Sequence, residues 1–332
     1  MTTQTSLRPL IKPIAAETAR PTPSLTKTVS AIDRLQANIN QAAVVKPEVL
    51  KLILTALLGR GHLLLEDVPG VGKTLVAKAL AKSISASFKR IQCTPDLLPS
   101  DITGASIYNQ KEQKFMFVPG PLFAQFVLVD EINRATPRTQ SSLLESMAER
   151  QVTIDGRRYQ LEEPFFLIAT QNPVETAGTF PLPEAQLDRF LVSLSLGYPQ
   201  FEDEVLILER EEQEDPLNLI QPVLSPADIV AIQGQVQKVG VVRSLKEYIV
   251  RLLTATRSHP DVLLGVSPRG GVALQRAAQA MALLNHRSYV TPDDIKAVAK
   301  AVLTHRLITH ERSGESAQAA IDSILTSVPS PV

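Results

Sequence analysis

The residues best suited to chemistry lie in one short run, His62-Leu-Leu-Leu-Glu-Asp-Val-Pro-Gly-Val-Gly-Lys-Thr74. An apolar stretch runs into a glycine turn, and the turn into a helical pattern. Backbone N–H groups in such a turn, at a helix N-terminus, present positive potential to an anion. Pro69, Gly70, Val71, Gly72, Lys73, Thr74 and Leu75 would cradle a nucleotide's phosphate chain. Lys73 would reach the β- and γ-phosphates, and the Thr74 hydroxyl would bind Mg2+. The strict G-x-x-x-x-G-K-[ST] spacing wants glycine at position 67, where this chain has Asp67; Pro69-Gly70 still supplies a tight turn. A dinucleotide fingerprint would need a small residue at position 75, which is Leu75.

Fifty-six residues lie between Lys73 and Asp130, which closes the run Phe126-Val-Leu-Val-Asp-Glu131. An apolar strand ending in two acids is common by itself and marks no site. Downstream of a phosphate loop it places carboxylates at the carboxyl end of a sheet, where ligands bind. Asp130 would hold Mg2+ through water, and Glu131 would polarise the attacking water.

These groups need a scaffold of alternating elements. Short apolar runs at His62–Leu65, Phe88–Gln92, Phe126–Asp130, Phe165–Thr170 and Leu191–Leu196 read as strands. Helical spacing at Val29–Asn40, Pro47–Leu58 and Thr74–Ser85 lies before and between them. Strands separated by helices predict an α/β fold with a parallel sheet covered on both faces. Two alternating segments, Ile107–Phe117 and Gln151–Tyr159, read as hairpins, the second with an Asp155-Gly156 turn. After Pro199 the strand signal stops. Phe201–Glu212, Pro226–Gln237, Ser244–Arg257, Pro268–Asn285 and Pro292–His305 read as helices, three of them preceded by Ser/Thr-Pro starts. The expected division is a flexible tail (1–28), an α/β domain (29–198), an all-helical lid (199–326) and a C-terminal tail (327–332).

"LLLEDVPGVGKT", "VLVDEINRATPRTQSSLLESM", "ERQVTIDG", "ATQNPVE", "FPLPEAQLDRF" and "GVSPRGG" occur here in that order. Together they resemble the MoxR family of AAA+ ATPases across roughly residues 30–326. The resemblance implies a P-loop NTPase core with hairpin inserts and a helical lid, with ATP and Mg2+ as cofactors. It puts the family's sensor 1 on Asn172, although Asn172-Pro173 is also ordinary turn chemistry. It puts the arginine finger on Arg189, reaching a neighbouring subunit's γ-phosphate; the plainer reading is a local pair with Asp188 or Glu184. It puts sensor 2 on Arg269, contacting the γ-phosphate within its own subunit. The hairpins match the helix-2 and pre-sensor-1 inserts, which face a ring surface or pore; they also read as simple decoration. The implied assembly is a homo-oligomer, a hexameric ring, with a von Willebrand factor A-domain partner and a protein client. One departure stands out: Val44-Val45-Lys46-Pro47 replaces the family's Gly-Gln pair, so the adenine pocket is expected to differ.

Composition narrows the alternatives. Of 332 residues, 34 are Lys or Arg and 34 are Asp or Glu, so the net charge is zero; this and the few aromatics make nucleic acid an unlikely client. The single cysteine, Cys93, excludes an intramolecular disulfide and fits a reducing, cytoplasmic setting as a small core residue. No apolar run is long enough for a membrane span. The five histidines are scattered without ligand spacing. The tail, with four prolines and a net charge of +3, lacks a secretory apolar region, and its prolines disfavour an organelle-targeting helix. The favoured function is ATP hydrolysis driving chaperone-like remodelling, activation or metal-cofactor loading of protein complexes. The alternatives are a Mg-chelatase-like AAA+ motor subunit and a nucleotide-dependent assembly scaffold with little turnover.

Overall fold

A computed structural model describes residues 23–172, 178–211 and 215–331 of the chain. The expected N-terminal tail up to residue 22, Pro173 and Val332 lie outside the described residues. Two helices open the fold, α1 (Pro23–Ala42) and α2 (Pro47–Leu58). Helix α1 begins at Pro23, so residues 23–28 are helical rather than part of a flexible tail; proline is well suited to a first helical turn. Strand β1 (Leu63–Glu66), α3 (Lys73–Ser83) and β2 (Phe88–Gln92) follow. A short α4 (Pro99–Thr103) leads into the hairpin of β3 (Gly104–Asn109) and β4 (Lys114–Pro119). Next come β5 (Phe126–Asp130), α5 (Pro137–Glu149) and a second hairpin, β6 (Gln151–Ile154) and β7 (Arg157–Gln160). Its Asp155 and Gly156 both take positive φ, 50° and 74°, as a tight two-residue hairpin turn requires. The series ends with β8 (Phe166–Gln171), α6 (Glu184–Leu187) and β9 (Val192–Leu194).

The five expected strands form one wholly parallel sheet in the order β2-β5-β8-β1-β9. The alternation of side chains divides each central strand between two cores. Leu63, Leu65, Phe126, Leu128, Phe166 and Ile168 face one side, and Leu64, Val127, Val129, Leu167 and Ala169 face the other. Burial on both faces is why these strands read as unbroken apolar runs.

The remaining chain forms α7 (Phe201–Glu211), α8 (Pro226–Val236), α9 (Arg243–Ser258), β10 (Val262–Leu264), α10 (Pro268–Leu284), α11 (Pro292–Leu303), β11 (Ile308–Thr309) and α12 (Gly314–Ser327). The lid is therefore not all-helical: β10 and β11 pair antiparallel. These strands are only three and two residues long, too short to give a readable alternation. Two of the expected Ser/Thr-Pro starts carry capping contacts. The Ser225 N–H donates to Asp228 at 2.8 Å and the Thr291 N–H to Asp294 at 2.9 Å. Ser267 makes no capping hydrogen bond. The lid shares its core with the first two helices: Leu50, Ile53, Leu54 and Leu57 of α2 belong to the same buried cluster as Leu274, Ala277 and Met281 of α10. Each such buried leucine or isoleucine contributes about 2 kcal/mol, so the lid is seated firmly on α2.

Candidate functional site

The carboxyl edge of the sheet gathers the phosphate loop, the acidic pair and the sensor 1 candidate. Register pairs Gln92 with Asp130 and Glu66 with Gln171, so β1, β2, β5 and β8 end at one level. The loop leaving β1 turns through Gly70 and Gly72, both at φ +90° with open space where a Cβ would stand. Glycine is needed there for its backbone freedom, not for room. Lys73 and Thr74 open α3, so free N–H groups of the first turn face the loop. The Lys73 ammonium folds back on the loop, donating to the backbone oxygens of Asp67 (2.8 Å) and Val68 (3.3 Å). Partial burial pulls its pKa below the ordinary value, against the opposing pull of Asp67, Asp130 and Glu131.

Asp67, the departure from the glycine pattern, has a structural task. Its buried carboxylate accepts from Ser195 Oγ (2.5 Å), the Leu196 N–H (2.7 Å) and the Gly197 N–H (3.2 Å). It thus clasps the phosphate loop to the segment leading from β9 to the lid. The sequence flagged the position but offered no partner, because the partner lies about 130 residues away.

Asp130 ends β5 with its carboxylate almost enclosed. It takes Arg90 Nε at 2.5 Å and the Thr170 hydroxyl at 3.2 Å. Glu131 adopts a left-handed backbone, φ 56° and ψ 51°, a strain of about 1 kcal/mol for a non-glycine residue. Its N–H donates to Thr170 Oγ at 2.9 Å, and its carboxylate accepts from Gln92 Nε2 (3.0 Å) and Arg134 (3.1 Å). Arg90 and Gln92 were not anticipated as parts of the site; on β2 they are exposed and alternate with buried Ile91, which reads in sequence as an ordinary solvated strand face. Asn172 directly follows β8, beside this group in the strand order. The Cys93 thiol is buried and pushed up to about 12, chiefly by desolvation, which excludes a thiolate nucleophile near neutral pH.

Thr74 and Asp130 present hard oxygens, and no cluster of three or more metal-binding side chains exists among the described residues. That donor set fits Mg2+, which favours a few protein oxygens together with water and phosphate over an all-protein cage.

Arg189 and Arg269 lie elsewhere. Both line a cavity of about 290 Å3 together with Arg60, Gly61 and His62, the residues just ahead of β1. Arg189 precedes β9, which runs parallel to β1, so the cavity marks the amino edge of the sheet. The phosphate loop leaves the other end of β1, about 13 Å away along a four-residue strand. The structure thus places Arg269, expected to contact the γ-phosphate of its own subunit, at the edge of the sheet opposite its own phosphate loop, where packing of α10 on α2 carries it. There it meets Asp188 at 3.5 Å. Arg189 donates to the Leu144 carbonyl at 2.9 Å and leaves a buried Nε without a partner. It forms no local ion pair with Asp188 or Glu184. Asp188 is instead held by Arg306 at 2.7 Å, a side chain only 4% exposed.

Comparison with known proteins agrees with this architecture. Residues 62–192 match the model of the ATPase family associated with various cellular activities (AAA), and residues 254–324 match the AAA lid domain. The chain is 54% identical to the uncharacterized protein YeaC of Bacillus subtilis, over 89% of this chain and 93% of that one. It is 39% identical to chaperone MoxR1 of Mycobacterium tuberculosis, over 92% of this chain and 84% of that one. The chain belongs to the MoxR family of AAA+ ATPases. A crystal structure of an ATPase candidate from Cytophaga hutchinsonii superposes with a TM-score of 0.86 at 40% identity, covering 93% of this chain and 97% of the other. The family assignment makes this an ATPase and a nucleotide binder. No helix among the described residues is long and apolar enough to cross a membrane.

Proposed function

We propose that this MoxR-family ATPase works as a ring, hexameric by family resemblance, whose Mg2+-dependent ATP hydrolysis drives chaperone-like remodelling, activation or metal-cofactor loading of a protein complex. The observation that carries the reading is the separation of the two sites: the phosphate loop on one edge of the sheet, the arginine cavity on the other. Head-to-tail association brings one copy's cavity to the next copy's nucleotide, and such contacts close into rings when the rotation permits. On this reading residues 29–198 form the nucleotide-binding base and 199–326 the lid.

In each site Lys73 exchanges the Asp67 and Val68 carbonyls for phosphate oxygens. Glu131 accepts a proton from the lytic water, with Gln92 and Arg134 fixing its carboxylate and Asn172 orienting the water. Thr74 and Asp130 would hold Mg2+, which offsets phosphate charge when bound. Arg189 and Arg269 of the adjacent copy stabilise the charge that develops on the γ-phosphate.

The hairpins suit client contact. Ile107, Tyr108, Phe115, Met116 and Val118 are exposed, and Phe117 and Tyr159 join the two hairpins with ring centroids 4.4 Å apart. Apolar surface left in the open at a protruding hairpin favours partner binding. The name of chaperone MoxR1 supports the chaperone-like role, and the family resemblance supports a von Willebrand factor A-domain protein as partner and a setting in the cytoplasm. The test is capture with the Glu131→Gln protein, which should bind ATP without hydrolysing it. A protein partner should be retained with ATP and lost with ADP, and mass spectrometry should identify it. A trap that binds ATP but retains no more than the Lys73→Ala protein would contradict the client role.

A further inference from the structure

The cavity at the amino edge is far more basic than the chain that contains it. Six arginines line it: Arg60, Arg150, Arg189, Arg269, Arg276 and Arg306. Two carboxylates serve four of them. Glu163 takes Arg60 at 2.7 Å and Arg150 at 2.9 Å, and Asp188 takes Arg306 at 2.7 Å and Arg269 at 3.5 Å. Arg189 is spent on one backbone carbonyl. Arg276 forms no ion pair with any described residue. Against six positive charges stand two negative ones, in a chain whose net charge is zero.

Such crowding is costly without an anion. Burial, with Arg60 and Arg276 adding repulsion, pulls the Arg150 guanidinium below its ordinary value. Burial also lowers Arg306, with Arg269 among the groups opposing its charge. Arg276 is the most available of the six. It is exposed, and it lies seven residues after Arg269 on α10, so both project from the same helix face, with Val272 and Ala273 between them along the cavity wall.

We propose that Arg276 is a third catalytic arginine acting in trans, contacting the phosphate chain of the nucleotide held by the adjacent copy beside Arg189 and Arg269. The inference rests on the ring reading above and adds a residue to it. Arg189 is already held by the Leu144 carbonyl and Arg269 shares Asp188, so Arg276, which has no partner among the described residues, has its whole donor set free for phosphate oxygens. The planar guanidinium of Arg276 supplies paired donors to phosphate oxygens.

The test uses the full-length protein with Arg276→Ala, Arg276→Lys and Arg189→Ala variants, measuring kcat, nucleotide Kd and thermal midpoint. Arg276 is exposed and unpaired, so the thermal midpoint of Arg276→Ala should match the parent. Its kcat should fall at least about tenfold while nucleotide Kd stays within about twofold, with partial recovery in Arg276→Lys. Mixing Arg276→Ala with Lys73→Ala subunits should raise turnover, because the second protein offers an intact Arg276 to the first protein's intact phosphate loop. Unchanged kcat in Arg276→Ala while Arg189→Ala is inactive would overturn the proposal and leave the ring reading standing. A fall that mixing does not relieve would place Arg276 in cis and overturn it too. Full turnover in Arg189→Ala would remove the trans reading itself.

Discussion

His62 stands at the amino end of β1 with its imidazole buried. Its Nδ1 accepts from the Leu167 N–H at 3.1 Å, which leaves the Nε2 proton to meet the Met147 carbonyl at 3.2 Å. One neutral tautomer therefore ties β1, α5 and β8 together. Burial lowers its pKa from 6.5 to about 4. The unfolded chain takes up a proton near pH 6.5 and the folded chain does not, so this contribution is whole above pH 6.5 and is lost as pH falls toward 4. The difference is worth roughly 3 kcal/mol. Urea unfolding at pH 7, 5.5 and 4.5 should show that loss, and His62→Leu should lack this part of the slope. Equal slopes in the two proteins would remove His62 as the cause. In the sequence His62 is one of five scattered histidines, and its bonding is visible only once three elements meet around it.

At the scale of elements, the clasp made by Asp67 joins the nucleotide loop to the start of the lid. Asp67→Gly would restore the usual glycine of the motif. It should nevertheless destabilise the fold by about 2–3 kcal/mol, since the Ser195 hydroxyl and two backbone N–H groups would lose a buried acceptor. A lower denaturant midpoint with normal helix content would show this; an unchanged midpoint would reduce the clasp to an incidental contact. The five strands and the two hairpins were legible because both rest on local signals. Unbroken apolar runs such as Phe126-Val-Leu-Val mark strands buried on two faces, and Asp155-Gly156 marks a tight turn. The β10–β11 ribbon was not legible, since a two-residue strand has no period, and the segment after Pro199 otherwise reads as helix. The start of α1 was misplaced because the prolines and threonines of residues 21–28 resemble a tail, whereas Pro23 serves as a helix start.

The whole molecule explains why Arg189 and Arg269, far apart in the sequence, line one cavity. The carboxyl-edge site was legible because the phosphate loop and the acidic pair each follow a strand, and a parallel sheet must bring such ends together. The place of Arg269 depends on how α10 seats against α2, a long-range packing decision that no local pattern near Ser267-Pro268 records. Its arrival beside Asp188 puts it on the same cavity wall as Arg189. On the proposed ring reading, a molecule with its phosphate loop at one edge and its surplus guanidinium groups at the other is half of two sites. Zero net charge hides the six arginines gathered around one cavity, because it sums over the whole chain. The central claim is that catalysis requires two copies, and subunit mixing tests it most directly. Lys73→Ala should fail to bind nucleotide, and Arg189→Ala should bind it without turnover. Combined in equal amounts, they should regain up to about one quarter of parental ATPase activity, the share of interfaces pairing an intact loop with an intact arginine in a randomly mixed ring. A mixture no more active than its two separate components would contradict the account.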